Sequence, residues 1–384
     1  MLRTRRVLPG LAVAGWLAVW GGGAAAVGEP GRPLNPRLLA LKTNTWSLLA
    51  QPAEADWRRQ THAGIAYDSK RGTLLVFGSN THGLDWDNEV HEFDPVTGRW
   101  ATHYPRAPRE SYRADAAGRA IAGNGRLLPW AMHTYDNVVY DPGLDAVIVS
   151  ALPEHNPIRK KVPQANVHPT WIYDLKTRQW RIFANNGKPY PKFFAGASAY
   201  DPHRDVVAAY KAGMWEIGPD RAEWKRATPE RHHRMHFTMD YDLRHRRFVM
   251  FGDYYNSSEV WSYAPGARAG DRGTWARQQA ASCPPGQHFP VAYDSARGVF
   301  VLVVDDTPYT EDRKGRRKPA GRARSSGTYV YDLGRCTRLP GADLPPLGMN
   351  YMMVYDRFHQ VFLLVTGDHG SPAAVRALKL EWPP

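Results

Sequence analysis

Residues suited to acid–base or metal chemistry recur in this chain at one spacing. His62, Tyr135, His236, His288 and Asn350 each stand six residues before the Asp of a Tyr-Asp pair, and Ala195 takes the same place before another. Eleven residues after those Asp stand Ser79, Leu152, Ala212, Asp253, Asp305 and Gly367, and His133 lies two before Tyr135. Neutral imidazoles with carboxylates make a donor set for a divalent metal such as zinc, calcium or copper. On that reading His62, His236, His288, Asp253 and Asp305 are the ligands. The same region also supplies His/Tyr pairs for proton transfer, with His133, Tyr135, His236 and His288 as acids and bases and Arg234 to neutralise a carboxylate. A channel lined by polar side chains with no chemistry is the third reading.

Such residues converge only if the chain places the Tyr-Asp repeats around an axis. The segment 61–100 has four strand-like pieces: 64–67, the apolar run 73–77, the alternating run 89–93, and Arg99-Trp100. The turns between them carry Asp, Pro and Gly, which suit their backbone angles. Tyr67-Asp68 returns as Tyr140-Asp141, Tyr200-Asp201, Tyr241-Asp242, Tyr293-Asp294 and Tyr355-Asp356, giving six copies. The sixth copy ends at 375–382 without a fourth strand. The segment 44–49, with Trp46 in the place of Trp100 and Trp180, supplies it. Pairing the first segment with the last removes an open sheet edge. Repeats of this length with four strands each indicate an all-β fold, a six-bladed β-propeller of four-stranded antiparallel blades closed by an N-terminal strand that completes the last blade.

The repeats resemble the kelch family, which includes the propeller of galactose-oxidase-like proteins. The matching features are the apolar strand ending in Gly (Phe77-Gly78, Phe251-Gly252), the Tyr-Asp turn and the Trp spaced behind it. The family's second Gly is here Ser79 or Asp253. The resemblance covers roughly 43–382 and implies a fold shared by binding platforms, oxidases and epimerases, so it names no activity. It also brings in a copper oxidase reading, which needs a Cys cross-linked to a Tyr ligand.

Residues 1–30 read as a signal peptide: Arg3, Arg5 and Arg6, then an apolar stretch too short to span a bilayer, then Ala24-Ala25-Ala26. The propeller domain is then 43–384, periplasmic or secreted, with no transmembrane segment after cleavage. Two cysteines, Cys283 and Cys336, fit either one disulfide in an oxidising compartment or two free thiols. Antiparallel connectivity sends the long insertions 102–132, 150–170 and 305–328 to the end that carries the histidines. With Arg159, Lys160, Lys161 and the run 313–324, and a net charge of +13, that end should attract anions. An exported chain without a stacking motif excludes nucleic acid as the partner. The expected partner is an anionic polysaccharide or acidic envelope polymer, held through Arg159, Lys160, Lys161 and Asn350. The activity is either lyase-type His/Tyr catalysis or plain binding by a non-catalytic envelope platform.

Overall fold

In the computed structural model, residues 32–383 are described except 51–56, 59–60, 82–84, 124, 164, 166–169, 254–257, 279–282, 306–308, 312–316, 320–325, 333, 345–346 and 368–371. The signal-peptide expectation at 1–30 lies outside the described residues. The protein is all-β and propeller-like, with one short α-helix at Pro36–Leu39 and three single turns of 3-10 helix among the described residues. No helix among them is long and apolar enough to cross a membrane.

Six sheets have four antiparallel strands each. The innermost strands are Gly64–Asp68, Val138–Asp141, Ala197–Asp201, Thr238–Asp242, Val291–Asp294 and Met353–Asp356. Each neighbours the next, and the last neighbours the first, so the sheets stand in a ring. Second strands such as Thr73–Phe77 and Val361–Thr366 are buried along their whole length because neighbouring sheets pack on both of their faces. The sixth sheet is completed by Ser47–Ala50, which pairs with Ala374–Lys379 in the register Ser47 with Ala377 and Leu48 with Arg376. Trp46 anchors this seam, its indole N–H donating to Thr328 Oγ1 of the fifth sheet at 2.8 Å. Trp224 does the same to Thr170 at 2.8 Å, while Trp180 donates to Tyr104 Oη at 2.6 Å.

The Tyr-Asp repeat is a structural device. Each Asp caps its own turn, as Asp68 accepts from the Lys70 and Arg71 amides and Asp294 from those of Ala296 and Arg297. The Asp can also reach the adjoining sheet. Tyr67 Oη donates to Asp356 at 2.8 Å across the closing seam. Glycine at the end of a second strand has an equally local reason. Gly78 has φ of 131°, and a Cβ there would lie 2.3 Å from Thr134 Oγ1.

Two insertions carry short strands of their own. The stretch 102–132 contains a three-stranded sheet of Arg113–Ala114, Ala120–Ala122 and Leu128–Pro129. Within 305–328, Tyr309–Glu311 pairs with Arg317–Pro319. The remainder of the basic run 313–324 lies outside the described residues. Cys283 and Cys336 form a disulfide spanning 53 residues within the core of the fourth and fifth sheets.

Candidate functional site: a histidine cluster before the innermost strands

The repeated position six residues before Asp forms a backbone collar that joins four of the six steps from sheet to sheet. The Tyr135 amide donates to the His62 carbonyl at 2.9 Å. His236 donates to Ala195, His288 to His236 and Asn350 to His288, each at 3.1 Å. Four of these residues are left-handed: Tyr135 (φ 52°), Ala195 (49°), His236 (60°) and His288 (54°). That conformation costs an L-residue roughly 1–2 kcal/mol and favours Gly or Asn. The collar needs only backbone atoms, as Ala195 demonstrates, so the hydrogen bonds do not dictate imidazoles at the strained positions. Strained non-glycine residues of this kind gather at functional sites.

The side chains form two histidine pairs joined by a tyrosine. His62 and His133 stack with ring centroids 3.9 Å apart. His236 and His288 meet edge to face at 4.4 Å. Tyr135 stands between them, 5.5 Å from His62 and 5.4 Å from His236. His133 is held at both nitrogens, by Tyr135 Oη and by Thr81 Oγ1, each at 3.1 Å. His62 Nδ1 lies 2.9 Å from Thr61 Oγ1. His236 Nδ1 lies 3.0 Å from Tyr351 Oη. His155 and Phe194 extend the cluster outward, with His155 at 5.1 Å from His133 and Phe194 at 5.3 Å from Tyr135.

Burial separates what a ligand can touch from what supports it. His62, His133, Tyr135 and Tyr351 are buried, whereas His236 and His288 are half-buried. Burial, with help from the neighbouring Lys211 ammonium, lowers the His236 pKa to about 4, and Asp253 opposes the shift. His236 is therefore neutral at pH 7. Burial first, then Tyr135 and Asp136, pushes the Tyr351 phenol well above its ordinary range, and burial raises Tyr135. A neutral imidazole oriented by a neutral phenol can accept a proton, though a pKa of about 4 makes it a weak base at pH 7.

The structure separates the expected metal set. His62 belongs to one histidine pair and His236 and His288 to the other, instead of surrounding one centre. Asp253 Oδ1 accepts from the Arg234 amide at 3.1 Å, and Asp305 Oδ2 accepts from Leu347 and Gly348 at 2.7 and 2.8 Å. These carboxylates pin the loops that enter the fourth and sixth sheets. Among the described residues, Asp87, Glu89 and His91 are the trio close enough to share an ion. Asp87 is there paired with His91 at 2.9 Å, and Glu89 with the Arg106 guanidinium at 3.1 Å. The copper-oxidase reading loses its thiol, since Cys283 and Cys336 are bonded to each other.

The expected ligand contacts also change. Asn350 is fully buried, donating to the Val365 carbonyl at 2.9 Å and accepting from the Met352 amide at 2.8 Å, so it serves the fold. Arg159 is paired with Glu154 at 2.7 Å, while Lys160 and Lys161 are exposed. Part of the positive charge of this end is neutralised in the same way, by Arg106–Glu89 and Arg119–Asp115. Arg234 is exposed beside Asp253. Sequence reading missed Tyr351, His155, Phe194, Thr81 and Lys211. Tyr351 follows the aligned Asn350 and Lys211 precedes the aligned Ala212, so register carried a signal for these two. His155 lies in an insertion without a repeat.

The chain matches no family model and no curated protein. Likeness to kelch proteins thus rests on the repeat pattern alone. A second concavity, of about 540 Å³, is lined by the innermost strands of all six sheets and by the six tyrosines of the Tyr-Asp pairs. Asp136 and Asp240 stand in its wall and accept from the Met239 and Tyr293 amides at 2.9 and 2.8 Å. Both are half-buried and line this concavity. Burial raises Asp240 to about 6 and Asp136 well above the carboxylate range. Tyr135, Ala195, Met349 and Tyr351 form an apolar cluster at the collar, with Phe194 and Met235 packed against it.

Proposed function

We propose that the chain is a six-bladed kelch-type propeller, acting outside the cytoplasm, whose mouth is a histidine acid–base site for an acidic polysaccharide. The observation that carries this reading is the half-buried His236–His288 pair, with His236 kept neutral and fixed by Tyr351, on backbone positions strained enough to need a reason. The six four-stranded sheets, the Tyr-Asp turns and the seam closed by Ser47–Ala50 support the propeller part. The disulfide supports an oxidising compartment. The exposed Lys160 and Lys161 and the net charge of +13 support an anionic ligand.

The reaction is β-elimination at a uronate. With Nδ1–H donated to Tyr351 Oη, His236 presents Nε2 as base and removes the proton on the carbon next to the carboxyl group. The electron pair forms a carbon–carbon double bond while the glycosidic C–O bond on the neighbouring carbon breaks. His288, the other half-buried imidazole of the pair, is the donor to the departing oxygen in this scheme, and takes its proton back from solvent as His236 gives its own up, so the cycle closes. No water, oxidant or reductant is consumed. Acid–base assistance of this kind is worth roughly 10²–10⁴ in rate. His133 and Tyr135 are too deeply buried to touch the polymer, and act here as supports.

The test is incubation of purified protein with alginate, polygalacturonate and hyaluronate, following the ultraviolet absorbance of unsaturated uronates. Wild type should produce it from at least one polymer and His288→Ala should not. Binding without product would leave the second reading, a non-catalytic envelope platform. That alternative is favoured by Ala195, which holds the same left-handed collar position with no side chain for chemistry.

A further inference from the structure

The mouth has a gap in its ring of functional side chains at the third sheet, where Ala195 takes the place of a histidine. The same sheet delivers a cation to that sector. Val206–Tyr210 ends at Lys211, and the chain turns within Lys211–Gly213, where the Lys211 amide donates to the Gly213 carbonyl at 3.1 Å. Ala212 is left-handed (φ 53°), and Gly213, with φ of 125°, could not carry a Cβ without meeting the Thr228 carbonyl at 2.3 Å. This turn is short, strained and packed, so it aims its side chain firmly. The Lys211 ammonium donates to the Arg234 carbonyl, two residues before His236.

Resting on the proposed function, we propose that Lys211 receives the carboxylate of the acidic sugar and so places the adjacent carbon at His236. Three observations support this. Lys211 is half-buried, and a partly dehydrated ammonium binds a carboxylate more strongly than one in bulk water. It lies near enough to His236 to help keep the imidazole neutral. Burial, opposed by Asp253, lowers its own pKa to about 8, so it is still mostly charged at pH 7. A cation beside the reacting carbon also stabilises the negative charge that forms when the proton leaves. Arg234 had been the sequence expectation for this role. Its side chain is exposed, and its backbone is what braces the lysine.

The experiment compares binding of alginate, polygalacturonate and hyaluronate, each beside its methyl ester, by calorimetry. Lys211→Gln removes the charge and keeps an N–H donor on a slightly shorter side chain. Lys211→Arg keeps the charge. Wild type should prefer at least one acid over its ester by about 10- to 100-fold, the range of a hydrogen bond to a charged group. Lys211→Gln should lower that ratio about tenfold, leaving the part due to the exposed Lys160 and Lys161, and Lys211→Arg should restore most of it. A Lys211→Gln protein with the wild-type preference overturns the assignment, and so does a wild type that binds none of the polymers. Wild type that shows the preference without cleaving keeps Lys211 as the carboxylate site and removes only the lyase reaction.

Discussion

Acidification should destabilise the fold through His236. An unfolded histidine titrates near 6.5, while burial holds His236 at about 4 in the folded protein. Between those two values the unfolded chain takes up a proton that the folded protein refuses. The His236 contribution is therefore complete above about pH 6.5, declines as pH falls, and is gone below about pH 4. The gap of 6.5 minus 4 is about 2.5 units, and at 1.36 kcal/mol per unit it is a ceiling of roughly 3 kcal/mol. Urea unfolding of wild type and His236→Gln at several pH values between 7.5 and 4 isolates this contribution. His233, also buried and held at about 4, titrates alike in both proteins and cancels in the difference. The variant should lose less stability than wild type on acidification, by up to about 3 kcal/mol. Parallel losses across that window would refute the claim that His236 is held neutral.

Removing 32–50 should abolish cooperative melting, because Trp46 and Leu49 are buried in the seam and Ser47–Ala50 is the outer strand of the sixth sheet; a truncated protein that melts like wild type would contradict this. Replacing Cys336 with Ser should cost up to about 4 kcal/mol, the chain-entropy value for a closed loop of 53 residues, read by urea unfolding without reductant. Tyr351→Phe should lower kcat about tenfold with KM unchanged, since the phenol fixes His236 without touching ligand. A general disturbance of the mouth would instead raise KM.

Much of this arrangement was legible because a ring converts sequence register into place. Aligning the six Tyr-Asp pairs located the collar, and with it Tyr135, His236 and His288, without any knowledge of side-chain direction. Register does not say what a side chain does on arrival. Asp253 and Asp305 share a repeat position that suggested metal ligands, yet each is taken up by the amides of a neighbouring loop. Asn350 occupies the histidine position but turns inward to the Val365 carbonyl. The left-handed backbone at Tyr135, Ala195, His236 and His288 left no mark in composition, because Gly or Asn would have been the usual signal. The small sheet within 102–132 was invisible for a different reason: strands of two and three residues are too short to show alternation.

The central claim is that the mouth histidines transfer protons on an acidic polymer. The most direct measurement is the rate of unsaturated-product formation by His236→Ala beside wild type, on whichever of alginate, polygalacturonate and hyaluronate wild type cleaves, with both melting curves recorded. The account predicts a loss of about 10²-fold or more with folding intact. Undiminished turnover by a folded His236→Ala protein, or no turnover by wild type on any of the three, would contradict it.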